Sequence, residues 1–239
     1  MPDELEKQIP FYTPSPERPL QGMTVLVVED SRFASEAIRL LCLRSGARIR
    51  RADSLASARR HLRVYRPTVL IVDMGLPDGS GAGLIRDMAD APPRVPVILG
   101  ISGDDGMGQQ AMAAGADGFL AKPIENLAAF QHAVLESLPQ GDHPVGPRLV
   151  LNDAIAPDPV ALREDLSVVA DVLGSAPDER ELDYIAQFLG GVARSARDET
   201  LEVAAASLVR SRTVGPDGGG EIARVANLVQ DRLQASATF

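Results

Sequence analysis

A chain of 239 residues, 45% hydrophobic and 24% charged, is long enough for one large or two small folded units and too apolar to be disordered throughout. It has no apolar run of about 18 residues to cross a membrane. Its acidic start lacks the apolar stretch of a secretory signal, and its single cysteine, Cys42, excludes an intrachain disulfide or a cysteine-built metal cluster, so a reducing, cytoplasmic setting is expected. The net charge of −9 disfavours binding of phosphate backbones by the chain as a whole, and the acidity is uneven: residues 1–149 hold 18 acids and 16 bases, residues 150–239 hold 15 acids and 8 bases.

In chain order, the proline-rich residues 1–21 read as an extended leader. Residues 22–138 then alternate. Short apolar runs at Thr24–Val28, Ala47–Arg51, Val69–Val72, Val95–Ile101 and Gly118–Ala121 predict strands. The stretches between and after them, 32–45, 55–65, 81–90, 106–114 and 125–138, carry helical periodicity. The runs VLVV and VLIV are uninterrupted, as strands buried on both faces require, whereas ARIRR suits an edge. Five strands alternating with five helices predict an α/β unit, a five-stranded parallel doubly wound sheet of flavodoxin-like type.

In such a sheet the carboxyl ends of the strands gather ligands. The first strand ends in Glu29 and Asp30, the third in Asp73, the fourth runs into Ser102, and the fifth ends in Lys122 followed by Pro123. Only Lys7 and Lys122 are lysines in a chain that otherwise uses arginine, which singles Lys122 out. Three carboxylates at one edge repel unless a cation neutralises them. Mg²⁺ suits oxygen ligands and phosphate oxygens, and an ammonium and a hydroxyl beside it can hold the rest of a phosphoryl group. The constellation predicts Mg²⁺-assisted phosphoryl transfer to a carboxylate. Taken alone, Glu29 and Asp30 read equally well as the acidic start of a helix, Ser102 as turn chemistry and Phe119 as core packing. His61, His132 and His143 have no metal-ligand spacing, and Cys42 reads as a small packed hydrophobe.

The segments VLVVEDS (25–31), VDMGLPDGSG (72–81), GIS (100–102) and GADGFLAKP (115–123), in that order and each at a strand end, resemble the receiver domain of two-component response regulators. The resemblance implies that Asp73 accepts a phosphoryl group from a phosphohistidine on a sensor histidine kinase or phosphotransfer protein. It implies that Glu29, Asp30 and Asp73 hold Mg²⁺ with the backbone carbonyl of Gly75, that Ser102 bonds a phosphoryl oxygen, and that Lys122 pairs with the carboxylate or the phosphoryl group. Phe119 takes the place of an aromatic that changes rotamer on activation. The domain would catalyse its own phosphorylation and dephosphorylation without being a conventional enzyme. Glu29 stands where Asp is commoner. Gly75 and Asp104 occupy two positions that tune dephosphorylation in that family. The Gly-rich GISGDDGMG (100–108) predicts a late or mobile fourth helix, on the face through which receivers dimerise or signal.

Residues 139–157, with PQGDHPVGPR at their start, read as a linker, and 158–239 as a small all-α bundle. Apolar stripes are predicted over 159–173, from an Asp178 cap through Val192, over 198–210 and over 221–234, with GPDGGG (215–220) as a loop and Gly190–Gly191 as a bend or a close helix contact. No histidine follows His143, so the bundle cannot carry phosphate on an imidazole. The net charge of −7 over residues 150–239 and the lack of a basic helix argue against nucleic acid, leaving a downstream protein partner or self-association as a homodimer. The alternatives are a phosphorylation-independent scaffold and a DNA-binding regulator.

Overall fold

The structure is a computed structural model that describes residues 14–104, 106–139, 154–175, 177–214 and 219–235. Residues 1–13 of the expected leader, 140–153 of the linker with His143, and 215–218 of the glycine loop lie outside the described residues.

The first half builds one parallel sheet. Strand β1 (Thr24–Val28) lies between the edge strand β2 (Arg48–Ala52) on one side and the central strand β3 (Val69–Asp73) on the other. Counting along the chain, β4 (Gly75–Leu76) and β5 (Gly79–Ser80) form a minute antiparallel hairpin, and β6 (Val97–Ser102) and β7 (Gly118–Ala121) complete the sheet in the order β2-β1-β3-β6-β7. Its helices are α1 (Arg32–Arg44), α2 (Leu55–Val64), α3 (Gly81–Asp90), α4 (Met107–Ala113) and α5 (Leu127–Glu136). This is the flavodoxin-like architecture expected from the alternation.

Boundaries shifted for local reasons. β6 starts at Val97 because Pro96 has no N–H for the ladder. β3 runs one residue further than expected, so Asp73 pairs in register with Ile101. The α4 helix is short, and its Gly106 cap offers no side chain. In the segment expected to be an extended leader, Leu20 is fully buried in the core and its N–H donates to Ser45 O at 2.9 Å. Cys42 packs in the same core, where burial pushes its thiol up to about 12.

Sheet order also explains where a site can form. The chain leaves β1 toward β2 on one side and returns to β3 on the other, so the loops after β1 and β3 diverge and leave a crevice between them. Ser31, Ser54, Ser80 and Asn126 each cap the next helix by accepting a backbone N–H, which fixes the turns at that carboxyl edge.

The second half is helical: α6 (Pro159–Gly174), α7 (Glu179–Ser195), α8 (Glu199–Val214) and α9 (Gly219–Ala235). A reciprocal capping box between Asp178 and Glu181 starts α7. That helix runs unbroken through Gly190–Gly191; instead of bending, it brings Gly190 close to Ala205 of the alanine-rich run in α8, where Ala204 and Ala205 are buried. Among the described residues no helix is long and apolar enough to cross a membrane. The bundle is seated on the sheet domain, with α6 and α7 lying against α1.

Candidate functional site

The crevice collects the side chains that the strand ends carry. Lys122 Nζ donates to Asp73 Oδ2 at 2.8 Å and stands 2.6 Å from Glu29 Oε2. The second contact is a buried ion pair. Glu29 Oε1 and Asp30 Oδ1 each accept from Ser31 N at 3.1 Å, and Asp73 Oδ1 accepts from Gly75 N at 3.3 Å. Ser102 Oγ accepts from Asp104 N at 3.0 Å, which leaves its hydroxyl hydrogen to donate. Glu29, Asp73, Ser102 and Lys122 are all buried. The Lys122–Pro123 peptide is cis.

Electrostatics follow from this burial. Desolvation pushes the Glu29 carboxyl well above its ordinary value, repulsion from Asp73 and Asp30 adds to that, and Lys122 opposes it. Burial likewise raises Asp30, against a hydrogen bond from Tyr184. Burial also works against the charge of Lys122, but Asp73 and Glu29 outweigh it and hold the ammonium above its ordinary value. One ammonium thus faces three carboxylates whose oxygens lie within 4.8 Å of one another. A hard divalent cation fits this donor set, because it would neutralise the charge that one ammonium leaves uncompensated on three carboxylates.

Glu29, Asp30, Asp73, Gly75, Ser102 and Lys122 line one cavity of about 220 Å³. Phe119 stays outside it; its ring packs over Gly108 of α4 and beside Gly100 of β6.

Sequence reasoning missed the other wall of that cavity, which α7 and α8 supply. Tyr184 Oη donates to Asp30 Oδ2 at 2.6 Å, and its hydroxyl is held far above its ordinary value by burial and by that carboxylate. Arg194 donates to the backbone oxygen of Gly103 and pairs with Glu202 Oε1 at 2.7 Å. Gln187 stands over Gly75. Beside the cavity, Asp165 of α6 accepts from Ser31 Oγ at 2.8 Å, Arg32 N at 2.9 Å and Phe33 N at 3.0 Å, so a bundle carboxylate caps the first turn of α1. Asp165 had a legible signal, an acid in line with the apolar stripe of Leu162, Leu166 and Val169. Tyr184, Gln187 and Arg194 had none, since they lie off the stripe of Ile185, Leu189 and Val192 like any solvated face.

Comparison with known proteins places residues 25–134 in the family described as the response regulator receiver domain. Those residues are a receiver domain. Among relatives, the KDP operon transcriptional regulatory protein KdpE of Escherichia coli K12 is 31% identical over 100 residues, 42% of this chain and 44% of that one. The virulence transcriptional regulatory protein PhoP of Salmonella typhimurium is 31% identical over 117 residues, 47% and 52% of the two chains. The chain spans about half the length of these curated relatives. A solved CheY-like receiver domain from Methylobacillus flagellatus, 24% identical, superposes with a TM-score of 0.44 over 48% of this chain and 98% of its own. The family match ends before the helical bundle.

Proposed function

We propose that this chain is a cytoplasmic response regulator whose receiver domain takes a phosphoryl group on Asp73 and whose helical bundle passes the signal on by protein contact. The observation that carries the reading is the convergence of Lys122 on Asp73 and Glu29 at the crevice beside β1 and β3. The donor would be a phosphohistidine of a sensor histidine kinase or phosphotransfer protein. Transfer would be in line: the phosphorus–nitrogen bond breaks as a bond forms from phosphorus to an Asp73 carboxylate oxygen, and the imidazole leaves with the electron pair. Lys122 and the Ser102 hydroxyl would hold phosphoryl oxygens, and fixed donors of this kind are most of what phosphoryl transfer needs. Glu29, Asp30 and Asp73, with the Gly75 carbonyl, would hold Mg²⁺, which when bound offsets the charge gathering on the phosphoryl oxygens. Phe119, whose ring lies against Gly100 of the site strand and Gly108 of α4, would report the change to the α4 face.

Labelling of the full chain by acetyl phosphate with Mg²⁺ tests the reading. Wild type is expected to label and Asp73→Asn is not; undiminished labelling of the variant refutes the assignment, and an unlabelled wild type favours the scaffold alternative. The relatives are named as transcriptional regulators, so the expectation against nucleic acid finds no support in them, although their match does not reach the bundle. Titration with duplex DNA across a salt series decides that second reading, because phosphate contacts give a steep salt dependence.

A further inference from the structure

We propose that Gln187 orients the water that hydrolyses an acyl phosphate on Asp73, which makes the helical bundle a phosphatase element for its own receiver domain. The inference rests on the reading of Asp73 as the acceptor. Lys122 grips Asp73 Oδ2 from the buried side, so a phosphoryl group on Asp73 projects into the cavity. In-line displacement then requires water to arrive opposite the Asp73 oxygen, from the side that α7 roofs.

The roof is fixed on both sides of the cavity. Tyr184 ties α7 to Asp30 Oδ2 at 2.6 Å, and Arg194 ties it to the Gly103 backbone beyond Ser102. Gln187 and Gly191 lie between these anchors on the same helix face. A Cβ built on Gly75 would come within 2.2 Å of Gln187 Nε2, so the bundle's amide fills the place of the side chain missing two residues after Asp73. A Cβ at Gly191 would meet nothing within 4 Å, which leaves open space beside that amide. Gln187 is itself exposed, so water reaches it.

A carboxamide suits the task. Its oxygen can accept from the water while its NH₂ donates to a phosphoryl oxygen, and orientation is the main requirement of this reaction. The water oxygen bonds to phosphorus as the phosphorus–Asp73 bond breaks. Asp73 keeps the electron pair as carboxylate, and the water's proton leaves on the inorganic phosphate. The opposing idea, that α7 shields the acyl phosphate from water, conflicts with an exposed Gln187 and an open space at Gly191.

The experiment labels the full chain with acetyl phosphate and Mg²⁺, removes the donor and follows the decay of the phosphoaspartate. Gln187→Ala is expected to lengthen the half-life on the order of tenfold or more. Gln187→Met, which keeps the bulk and loses the amide, is expected to do the same. A half-life unchanged or shortened in Gln187→Ala overturns the proposal, as does a Gln187→Met variant that decays like wild type. A wild-type chain that takes no label overturns this reading together with the one it rests on, whereas normal labelling with decay indifferent to Gln187 overturns this one alone.

Discussion

Asp165→Ala is expected to loosen the bundle from the receiver domain while both parts stay folded. The carboxylate is almost fully buried, at 2% exposure, and accepts three hydrogen bonds, two from backbone N–H groups in the first turn of α1 and one from Ser31 Oγ. Three charge-assisted bonds would be worth about 6 kcal/mol or more if simply added. Burial, however, pushes the Asp165 carboxyl above its ordinary value, which shows that desolvation takes back part of that gain. Water also reaches the freed N–H groups once the bundle lifts, so their full penalty is not felt. A net loss of about 3 kcal/mol results, which is about 150-fold in the seating equilibrium. Hydrogen exchange read by mass spectrometry checks it: a peptide covering 31–36, which holds the Arg32 and Phe33 amides that Asp165 accepts, should exchange faster, and the β3 and α7 peptides, whose amides are protected within their own elements, should not. A change below about threefold in the first, or faster exchange everywhere, refutes the reasoning.

Other predictions test separate links. Asp198 pairs with Arg232 at 2.6 Å, and that bond, with burial opposing it, holds the carboxyl below its ordinary value of 3.8. A depressed carboxylate adds stability that is complete above its unfolded value and is lost as pH falls through the folded one, so urea midpoints should drop below about pH 4 and Asp198→Asn should flatten that part of the profile. A Cβ at Gly81 would stand 2.0 Å from the Asp73 carbonyl oxygen, and neither backbone can yield cheaply. Gly81→Ala should therefore cost about 2–3 kcal/mol in a urea melt and displace the acceptor strand end. Gly191→Leu should fill the open space over the cavity and slow labelling by acetyl phosphate several-fold, while Gly191→Ala should label normally and raise stability by about 0.5–1 kcal/mol.

The receiver half was legible because its physics is local and repeated. Buried parallel strands must be apolar throughout, so VLVV and VLIV announce themselves. The strands run in parallel, so Asp73, Ser102 and Lys122, each at a strand's carboxyl end, fall at one edge on sequence alone. The bundle's helices were equally visible from their stripes, and its seating was not. Asp165 breaks an apolar stripe and could have been flagged as an acid with a buried partner. Nothing in the surroundings of Gln187 or Tyr184 sets them apart from solvent-facing positions, because what they touch lies more than a hundred residues away. Gly75 is the instructive case: a missing side chain reads as a gap in the chain's own sequence, and the gap is filled from another domain.

The character of that contact bears on what the bundle can do. Among the described residues each half closes its own apolar core: the two clusters flanking the sheet draw on nothing beyond Ile155, and the third is made wholly of bundle residues. Among the described residues, many of the ties between the halves are polar, from Asp165 on α1 to Tyr184 on Asp30, Arg194 on Gly103, Arg197 on Glu125 and Arg32 with Glu164, beside a small apolar contact at Phe33 and Ala34 of α1, which are buried without joining either sheet cluster. Separating apolar cores would cost about 25 cal/mol for each Å² exposed, whereas a hydrogen bond exchanged for water costs about 1 kcal/mol net. The seat can therefore open without unfolding either part. One tie, from Tyr184, runs to Asp30, a carboxylate that a cation at the site would engage too, so charge placed there and seating of the bundle act on a shared group.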